Sequence, residues 1–413
     1  MTQKPRRLAA EWLNAAPLRE LLAALDSGGE EARVVGGAVR NALLGLPIGD
    51  VDIATTALPE EVKRRAEAAG FKAVPTGIEH GTVTVVADKQ PFEVTTLRED
   101  VETFGRHAKV AFGRDWRRDA ERRDFTINAL SVSRDGTIHD YVGGLADLDA
   151  RRVRFIGDPE RRIAEDYLRI LRFFRFHAAY GEGEPDPAGV AAAIAARAGL
   201  DGLSRERVRM ELMQLLVAKR ATATLATITE AGLLQQVLGG VPLVASFTSL
   251  VKLEGELAPV PDAVRRLAAL AVSVTEDAER LRERLRLANA EYERLMAMAD
   301  RWWAISAYAT EGAGRELLYR LGRERFIDRV LLAWARSSDG AADEHWRALA
   351  ALPQRWTAPV FPLKAADLLA RGLAKGPRLG AALAAAEEAW IAADFPLDPA
   401  ALSAIADAAA RVA

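Results

Sequence analysis

Two aspartates one residue apart are the side chains in this sequence best suited to hold a metal ion. Asp50 and Asp52 open a short β-branched run, and alternate side chains of a strand point to the same face. Two carboxylates held together repel each other unless a cation lies between them, and hard Mg²⁺ prefers such oxygen ligands. The pair therefore predicts a magnesium site. The alternative is two solvated acids at a strand edge. Glu93, in another predicted strand, is a candidate third carboxylate and equally compatible with either interpretation.

A glycine pair precedes the aspartates at the junction between a predicted strand and a predicted helix. Gly36 and Gly37 follow Val34 and Val35 and lead into the helical pattern at 38–44. Glycines at such a junction let backbone N–H groups approach a phosphate. A plain tight turn is the alternative. The two aspartates that follow favour phosphate binding.

Arginines and one aspartate form a stripe along a predicted helix at 165–176. Asp166 and Arg169 are three residues apart and therefore neighbours on a helix, and Arg172 and Arg175 continue the stripe. Cytosine and adenine both offer an amino donor beside a ring-nitrogen acceptor, whereas guanine and uracil reverse that pattern. A carboxylate beside a guanidinium could thus select C and A without a template. The alternative is a solvated, salt-bridged helix face.

The whole chain has an ordinary globular composition that excludes several kinds of chemistry. Its 413 residues are 50% hydrophobic and 28% charged, with no cysteine and five histidines. Disulfides, cysteine–zinc sites and thiol nucleophiles are excluded, and little material remains for a histidine-rich metal site. Although the net charge of the chain is −2, its middle part is basic, because residues 101–180 hold 16 Lys and Arg against 13 Asp and Glu.

The element pattern predicts an α+β protein. A helix is predicted at 5–26, mixed strands and helices follow to about residue 155, and only helical patterns follow Pro159. Residues 98–118 predict a surface loop. The longest uncharged stretch, 231–251, is interrupted by Gln, Gly and Pro, so no membrane span is predicted. Because no continuous apolar segment follows the N-terminus, a cytoplasmic protein is expected.

Together these motifs resemble a known family. The stretch GGAVRNALLGLPIGDVDIATTALPEEV is similar to the nucleotidyltransferase superfamily that includes DNA polymerase β, in particular its class II branch. That branch contains bacterial CCA-adding tRNA nucleotidyltransferases and bacterial poly(A) polymerases. The resemblance covers about residues 36–216, and Asn41, where the family usually has Asp, is a departure from which little effect is expected. The further matching motifs lie at 122–130, 141–159, 165–176 and 204–212.

The resemblance implies a fold, a reaction and a set of partners. It implies a mixed α/β nucleotidyltransferase head at 1–155, an all-α neck at 156–220 that carries the nucleotide-selecting helix, and a helical body and tail at 221–413 that bind tRNA. The implied reaction is template-independent addition of CCA to the tRNA 3′ end from CTP and ATP. In such enzymes a flexible loop at the place of 98–118 is needed to switch from C to A, so its presence favours full CCA addition. No protein partner can be inferred.

The resemblance also implies roles for individual residues. Asp50 and Asp52 would bind Mg²⁺, while Gly37 and Arg40 would hold the triphosphate with help from Arg123. On the neck helix, the aspartate and the first arginine would read the base, and the other two arginines would support it by charge and stacking. The residues of that helix are Asp166, Arg169, Arg172 and Arg175.

Three rival functions are weighed against CCA addition. A poly(A) polymerase tends to carry a strongly basic tail, but residues 221–413 hold 22 Lys and Arg against 24 Asp and Glu. A catalytically inactive tRNA-binding module has no need of the Asp50 and Asp52 pair. An appended HD-type phosphohydrolase would need more histidines than His345, the only one after His177.

Overall fold

The structure is a computed structural model that describes residues 6–77, 81–104, 107–257, 260–337 and 340–412. The chain forms two compact units, Met1–Gly240 with Arg284–Arg286, and Val241–Glu283 with Leu287–Ala413. These two units do not coincide with the three predicted domains, so the division into head, neck, and body and tail stays a prediction. The strands of the described residues are β1 (Ala32–Val35), β2 (Asp52–Thr55), β3 (Lys72–Gly77), β4 (Thr82–Ala87), β5 (Gln90–Thr96), β6 (Arg98–Phe104), β7 (His107–Phe112), β8 (Ser131–Ser133) and β9 (Ile138–His139).

Seven strands form the main sheet of the first unit, in the order β3-β4-β5-β2-β1-β8-β9. The β2–β5 pairing is parallel and the other pairings are antiparallel. Apolar residues of the central strands, such as Val34, Ile53 and Val94, are completely buried. In β2, Asp52 is exposed, whereas the three residues that follow it are buried. The sequence pattern missed β3, whose Pro75 is tolerated because this strand lies at the sheet edge.

The prediction of a surface loop at 98–118 was wrong, because this segment contains two strands. Strands β6 and β7 pair there as a separate antiparallel sheet, with Arg98 opposite Phe112 and Phe104 opposite His107. The register shifts between Asp100 and Glu102. Such an irregularity breaks the two-residue period by which a strand is recognised in sequence.

Helices make up the described chain after residue 158, as the sequence predicted. The predicted helix at 5–26 is shorter, with a 3₁₀ turn at Glu11–Asn14 before α1, because Pro17 must lie in the first turn of a helix. The helices of the first unit are α1 (Ala16–Leu25), α2 (Gly37–Leu43), α3 (Pro59–Ala68), α4 (Trp116–Glu121), α5 (Gly144–Asp149), α6 (Pro159–Glu165), α7 (Leu168–Tyr180), α8 (Pro187–Ala195), α9 (Arg205–Leu216), α10 (Ala221–Glu230) and α11 (Leu233–Leu238).

The predicted helix at 165–176 is divided in the structure. Helix α6 ends at Glu165 and α7 begins at Leu168, while Asp166 between them has an extended backbone with φ −157° and ψ 107°. The Asp166 carboxylate accepts a hydrogen bond from the Leu168 N–H at 3.1 Å. Aspartate competes in this way with the helical backbone at helix ends. Asp166 and Arg169 therefore do not share a helix face, and that part of the prediction was wrong.

The second unit is held together by a buried ion network. Arg265 bonds to Glu254 at 2.9 Å and to Asp328 at 2.8 Å, Arg266 bonds to Glu254, and Arg294 bonds to Asp328. These residues join four helices around one polar centre. The helices of this part of the chain are α12 (Val244–Leu257), α13 (Ala263–Ala271), α14 (Thr275–Leu285), α15 (Asn289–Ala299), α16 (Glu311–Leu321), α17 (Arg323–Arg336), α18 (Asp343–Ala350), α19 (Leu352–Arg355), α20 (Ala365–Leu369), α21 (Pro377–Ala392) and α22 (Pro399–Val412).

Candidate active site

Three predicted carboxylates meet where the interior strand β2 begins beside β5, and we call this group the carboxylate edge (Asp50, Asp52 and Glu93). The parallel register places Asp52 directly opposite Glu93. Val51 and Ile53 are buried, so Asp50 and Asp52 face outward together. Partial burial raises the pKa of Asp52, the charges of Glu93 and Asp50 raise it further, and Arg123 opposes the rise. The fold therefore holds negative charges together that favour a nearby cation.

The carboxylate edge fits the ligand chemistry of Mg²⁺. No group of three or more His, Asp or Glu side chains is already arranged as a metal cage within the described ranges. Mg²⁺ is usually bound through one or two carboxylates together with substrate phosphates and water. Asp50 and Asp52 supply those carboxylates, and Glu93 adds negative potential beside them.

The glycine turn lies beside this edge, because β1 ends at Val35, the partner of Asp52. Gly36 has φ +70°, a backbone conformation that side-chain-bearing residues rarely adopt. A Cβ atom there would stand 3.4 Å from Arg123 Nη1, so the guanidinium packs over the turn. Arg123 is held by Asp119 at 3.2 Å. The structure thus brings Gly37 at the start of α2, Arg123 and the two aspartates to one place.

Arg40 lies deeper than the sequence suggested. Its guanidinium is buried, donates to the Asn128 and Asn41 side-chain oxygens and to the Tyr180 hydroxyl at 2.7 Å, and stacks 3.9 Å from the Tyr180 ring centre. Burial lowers the pKa of Arg40. These contacts join α2 to the end of α7. They support a positioning role, and direct triphosphate binding by Arg40 stays a prediction.

Asn41 replaces the usual Asp of the family, and little effect was expected from this departure. Its side chain nevertheless makes several hydrogen bonds. Its side-chain oxygen accepts two hydrogen bonds from Arg40, at 2.8 and 3.1 Å, and its amide nitrogen donates to the Pro47 carbonyl at 2.9 Å. Pro47 begins the short segment that leads to Asp50. The residue therefore ties Arg40 to the approach of the carboxylate edge.

A second polar group connects the segment between α4 and β8 to α7 and α9. We call it the Asp124 network (Asp124, Asn128, Arg172, Arg175 and Glu211). Asp124 accepts from Arg172 at 2.6 Å, from the Asn128 amide at 3.1 Å and from the Phe125 N–H. Glu211 accepts from Arg172 at 3.3 Å and from Arg175. Although burial opposes it, the Arg172 charge and these hydrogen bonds lower the pKa of Asp124. Arg172 and Arg175 thus anchor α7 by charge.

The two predicted base-reading residues lie close in the chain but have separate partners. Arg207 donates to both Asp166 oxygens, at 2.6 and 3.2 Å. Arg169 donates to the Arg162 carbonyl at 2.8 Å and to Glu165. Asp166, Glu165 and Arg207 line a cavity of about 650 Å³. Asp166 is therefore placed at a space large enough for a nucleobase.

Comparisons with known proteins identify the family to which this chain belongs. Residues 32–154 match the family described as "Poly A polymerase head domain", and 186–247 match "Probable RNA and SrmB- binding site of polymerase A". A CCA tRNA nucleotidyltransferase 1, mitochondrial, of Danio rerio is 36% identical over 85% of this chain and 81% of its own length. A CCA-adding enzyme of Limosilactobacillus fermentum is 33% identical over 89% of this chain and 90% of its own. The chain belongs to the CCA tRNA nucleotidyltransferase family.

A solved member of this family has the same fold. The Bacillus stearothermophilus CCA-adding enzyme, crystallised in complex with CTP, has a TM-score of 0.73 and 28% identity, with 96% of this chain and 97% of that chain covered. The predicted α+β class, with a mixed sheet followed by helices, is confirmed, as is the predicted enzyme class. Enzymes of this family generally use a divalent metal ion. No helix among the described residues is long and apolar enough to span a membrane.

Several residues that contact the predicted site residues were not singled out from the sequence. Asp124 and Asn128 lie inside the RRDFTIN stretch, and Arg207 and Glu211 lie inside the last matching motif. The sequence signal that could have found them was therefore their position inside the stretches that resemble the family. Their partners are distant in sequence: 41 residues separate Asp166 from Arg207. Such pairings cannot be read from local spacing.

Proposed function

We propose that this chain adds C, C and A to the 3′ end of tRNA from CTP and ATP without a nucleic-acid template. The observation that carries the proposal is the carboxylate edge, where the parallel β2–β5 register sets Asp52 beside Glu93 and next to the glycine turn. The family relationship supplies the substrate class, because its relatives are named for CCA addition.

Asp50 and Asp52 are proposed to hold Mg²⁺. When bound, the metal ion would lower the cost of ionising the RNA 3′-hydroxyl and balance negative charge on the triphosphate. The chain's own groups orient the substrates: the backbone at Gly37 and the guanidinium of Arg123 hold phosphate oxygens beside the two aspartates. Glu93 strengthens the negative potential that favours the cation.

Asp166 and Arg169 are proposed to read the base. A carboxylate has about four lone-pair sites, so Asp166 can accept a base amino group while it keeps Arg207. A guanidinium has five N–H donors, so Arg169 can donate to the ring nitrogen while it keeps the Arg162 carbonyl and Glu165. Guanine and uracil would oppose donor to donor and acceptor to acceptor.

The remaining parts of the proposal concern domains and the change from C to A. The head at 1–155 would carry the chemistry, the neck at 156–220 would select the base, and 221–413 would bind tRNA. The paired strands β6 and β7 occupy the place of the loop that the family uses for adding A, so full CCA addition is proposed. A cytoplasmic location stays a prediction that cell fractionation would test.

A tRNA that lacks its three terminal nucleotides provides the direct test. With CTP alone we expect two additions and then a stop, and subsequent ATP should be added once. Long A-tracts on tRNA or unstructured RNA would support the poly(A) polymerase instead. Two C additions with no A would identify a CC-adding enzyme. tRNA binding without any Mg²⁺-dependent incorporation would indicate an inactive binding module.

A further inference from the structure

One cavity of the first unit is lined by none of the residues assigned above to the nucleotide or the metal. It measures about 790 Å³, a usual size for a ligand site. Five of its lining residues are arginines, against the carboxylates of Glu121, Asp158 and Glu165. An excess of arginine around a concave surface is suited to phosphate oxygens. The arginines that line this cavity, which we call the arginine cavity, are Arg118, Arg122, Arg154, Arg161 and Arg162.

Carboxylates behind the wall hold several of these arginines in place. Buried Asp119 bonds to Arg122 at 2.9 Å, and Asp147, which is completely buried, bonds to Arg154 at 2.5 Å. Burial opposes ionisation of Asp147, but hydrogen bonds from Arg154, Thr126 and Arg152 lower its pKa overall. Guanidinium groups fixed in this way lose little side-chain entropy when they bind an anion. Arg122 and Arg154 therefore form a fixed part of the wall, beside the more exposed side chains of Arg118 and Arg161.

The arginine cavity adjoins the proposed site. Glu165 lines both this cavity and the one that contains Asp166. Arg162 donates to the main-chain carbonyls of Arg122 and Arg123, and its own carbonyl accepts from Arg169. The Nε atom of Arg162 is buried and has no partner within the described residues. The cavity thus stands beside the base-reading residues, where the second substrate of a nucleotidyl transfer must approach.

We propose that the arginine cavity binds phosphodiester groups of the single-stranded 3′ end of the acceptor RNA. The inference rests on the proposed function, which requires an RNA end as well as a nucleotide. Both substrates carry phosphate. The RNA end is favoured because the residues proposed for the nucleotide lie outside the cavity while its wall touches their neighbours. Arg118 and Arg161, the most accessible arginines of the wall, contribute most of the electrostatic attraction.

The test uses the double variant Arg118→Ala with Arg161→Ala and a matched control. Both side chains are exposed, at 62% and 83%, and their ion pairs with Asp115 and Glu165 are long, at 3.8 Å each. Arg64 is 67% exposed and pairs with Glu61 three residues away, as Arg118 does with Asp115, but it does not line the cavity. Arg64→Ala is therefore the control for loss of an exposed arginine from the same unit.

Binding is measured without catalysis, by fluorescence anisotropy of an RNA hairpin with a 3′ overhang and of the same hairpin with a blunt end. The double variant should weaken overhang binding about tenfold or more, and the slope of log K against log salt should fall by roughly 0.7 for each phosphate that is no longer neutralised. Blunt-hairpin binding and the KM for CTP should change less than about twofold. Replacing both arginines by lysine, which keeps the charge, should retain most of the overhang affinity.

Four results would overturn the proposal. They are unchanged overhang binding, an equal loss with the blunt hairpin, an equal loss in Arg64→Ala, or a raised KM for CTP with RNA affinity intact. The last result would assign the cavity to the triphosphate instead. CCA addition by the wild-type protein is assayed separately, so failure of the proposed function would be recognised independently of the binding result.

Discussion

Two aspartates of the first unit, Asp52 and Asp124, have opposite electrostatic surroundings. At the carboxylate edge, partial burial and the charges of Glu93 and Asp50 raise the pKa of Asp52. In the Asp124 network, the Arg172 charge and hydrogen bonds lower the pKa of Asp124 despite burial. In the first arrangement Arg123 compensates the negative charge only in part, so that a cation can stabilise it. The second has its compensation within the protein, so its role is to hold the elements together.

The largest expected effect concerns the carboxylate edge. Asp52→Asn or Asp50→Asn removes a charged ligand and should lower Mg²⁺-dependent incorporation of CTP and ATP by over a hundredfold, about 3 kcal/mol or more. Binding of tRNA should persist. The measurement is single-turnover incorporation together with RNA affinity. Near-normal turnover in either variant would remove these residues from the metal site.

Base selection is the next largest effect, and it concerns Asp166 and Arg169, which both form ion pairs within the protein. Arg169→Ala removes a donor to the base ring nitrogen and should lower the kcat/KM ratios of CTP to UTP and of ATP to GTP by about ten- to a hundredfold, or about 1.5–3 kcal/mol. Arg161→Ala, which removes the more distant partner of Glu165, should leave both ratios unchanged. Wild-type ratios in Arg169→Ala would make α7 a structural helix only.

Stability distinguishes the two aspartates most directly. Asp124→Asn weakens a buried, charge-assisted contact with Arg172 and should lower the free energy of unfolding by about 1–3 kcal/mol. Asp52→Asn relieves repulsion and should leave that free energy unchanged or slightly higher in metal-free buffer. Urea unfolding of both variants at neutral pH is the measurement. Equal destabilisation by the two substitutions would contradict the comparison.

The smallest effect is a difference in pH dependence. The pKa of folded Asp124 is lowered, so its stabilisation is present above the unfolded pKa, about 3.9, and is lost as the pH falls through the folded value. The pKa of folded Asp52 is raised, so its contribution is present at low pH and is lost as the pH rises through the folded value. Urea unfolding of wild type and variants without metal from pH 3 to 7 should show opposite trends. Parallel curves would contradict the assigned surroundings.

Much of the fold and the proposed site could be predicted from local patterns. The Asp50 and Asp52 spacing, the glycine turn and the helical pattern after Pro159 depend on neighbours in the chain, and the structure has them where the sequence placed them. The β6–β7 pair could not be recognised, because its register shift removes the alternation. The interruption at Asp166 was missed because the apolar period continues through it, while its side chain caps the next helix.

Residue types and their spacing were enough to indicate phosphoryl chemistry at an aspartate pair and an α+β chain, since strand alternation and helix periodicity are local properties. Which charges are compensated depends on residues far apart in the chain. Folding places Arg172 against Asp124 and Arg207 against Asp166. It also gathers separated arginines around one cavity. Burial and partner together set the energy of a charge, and neither can be read from its neighbours in sequence.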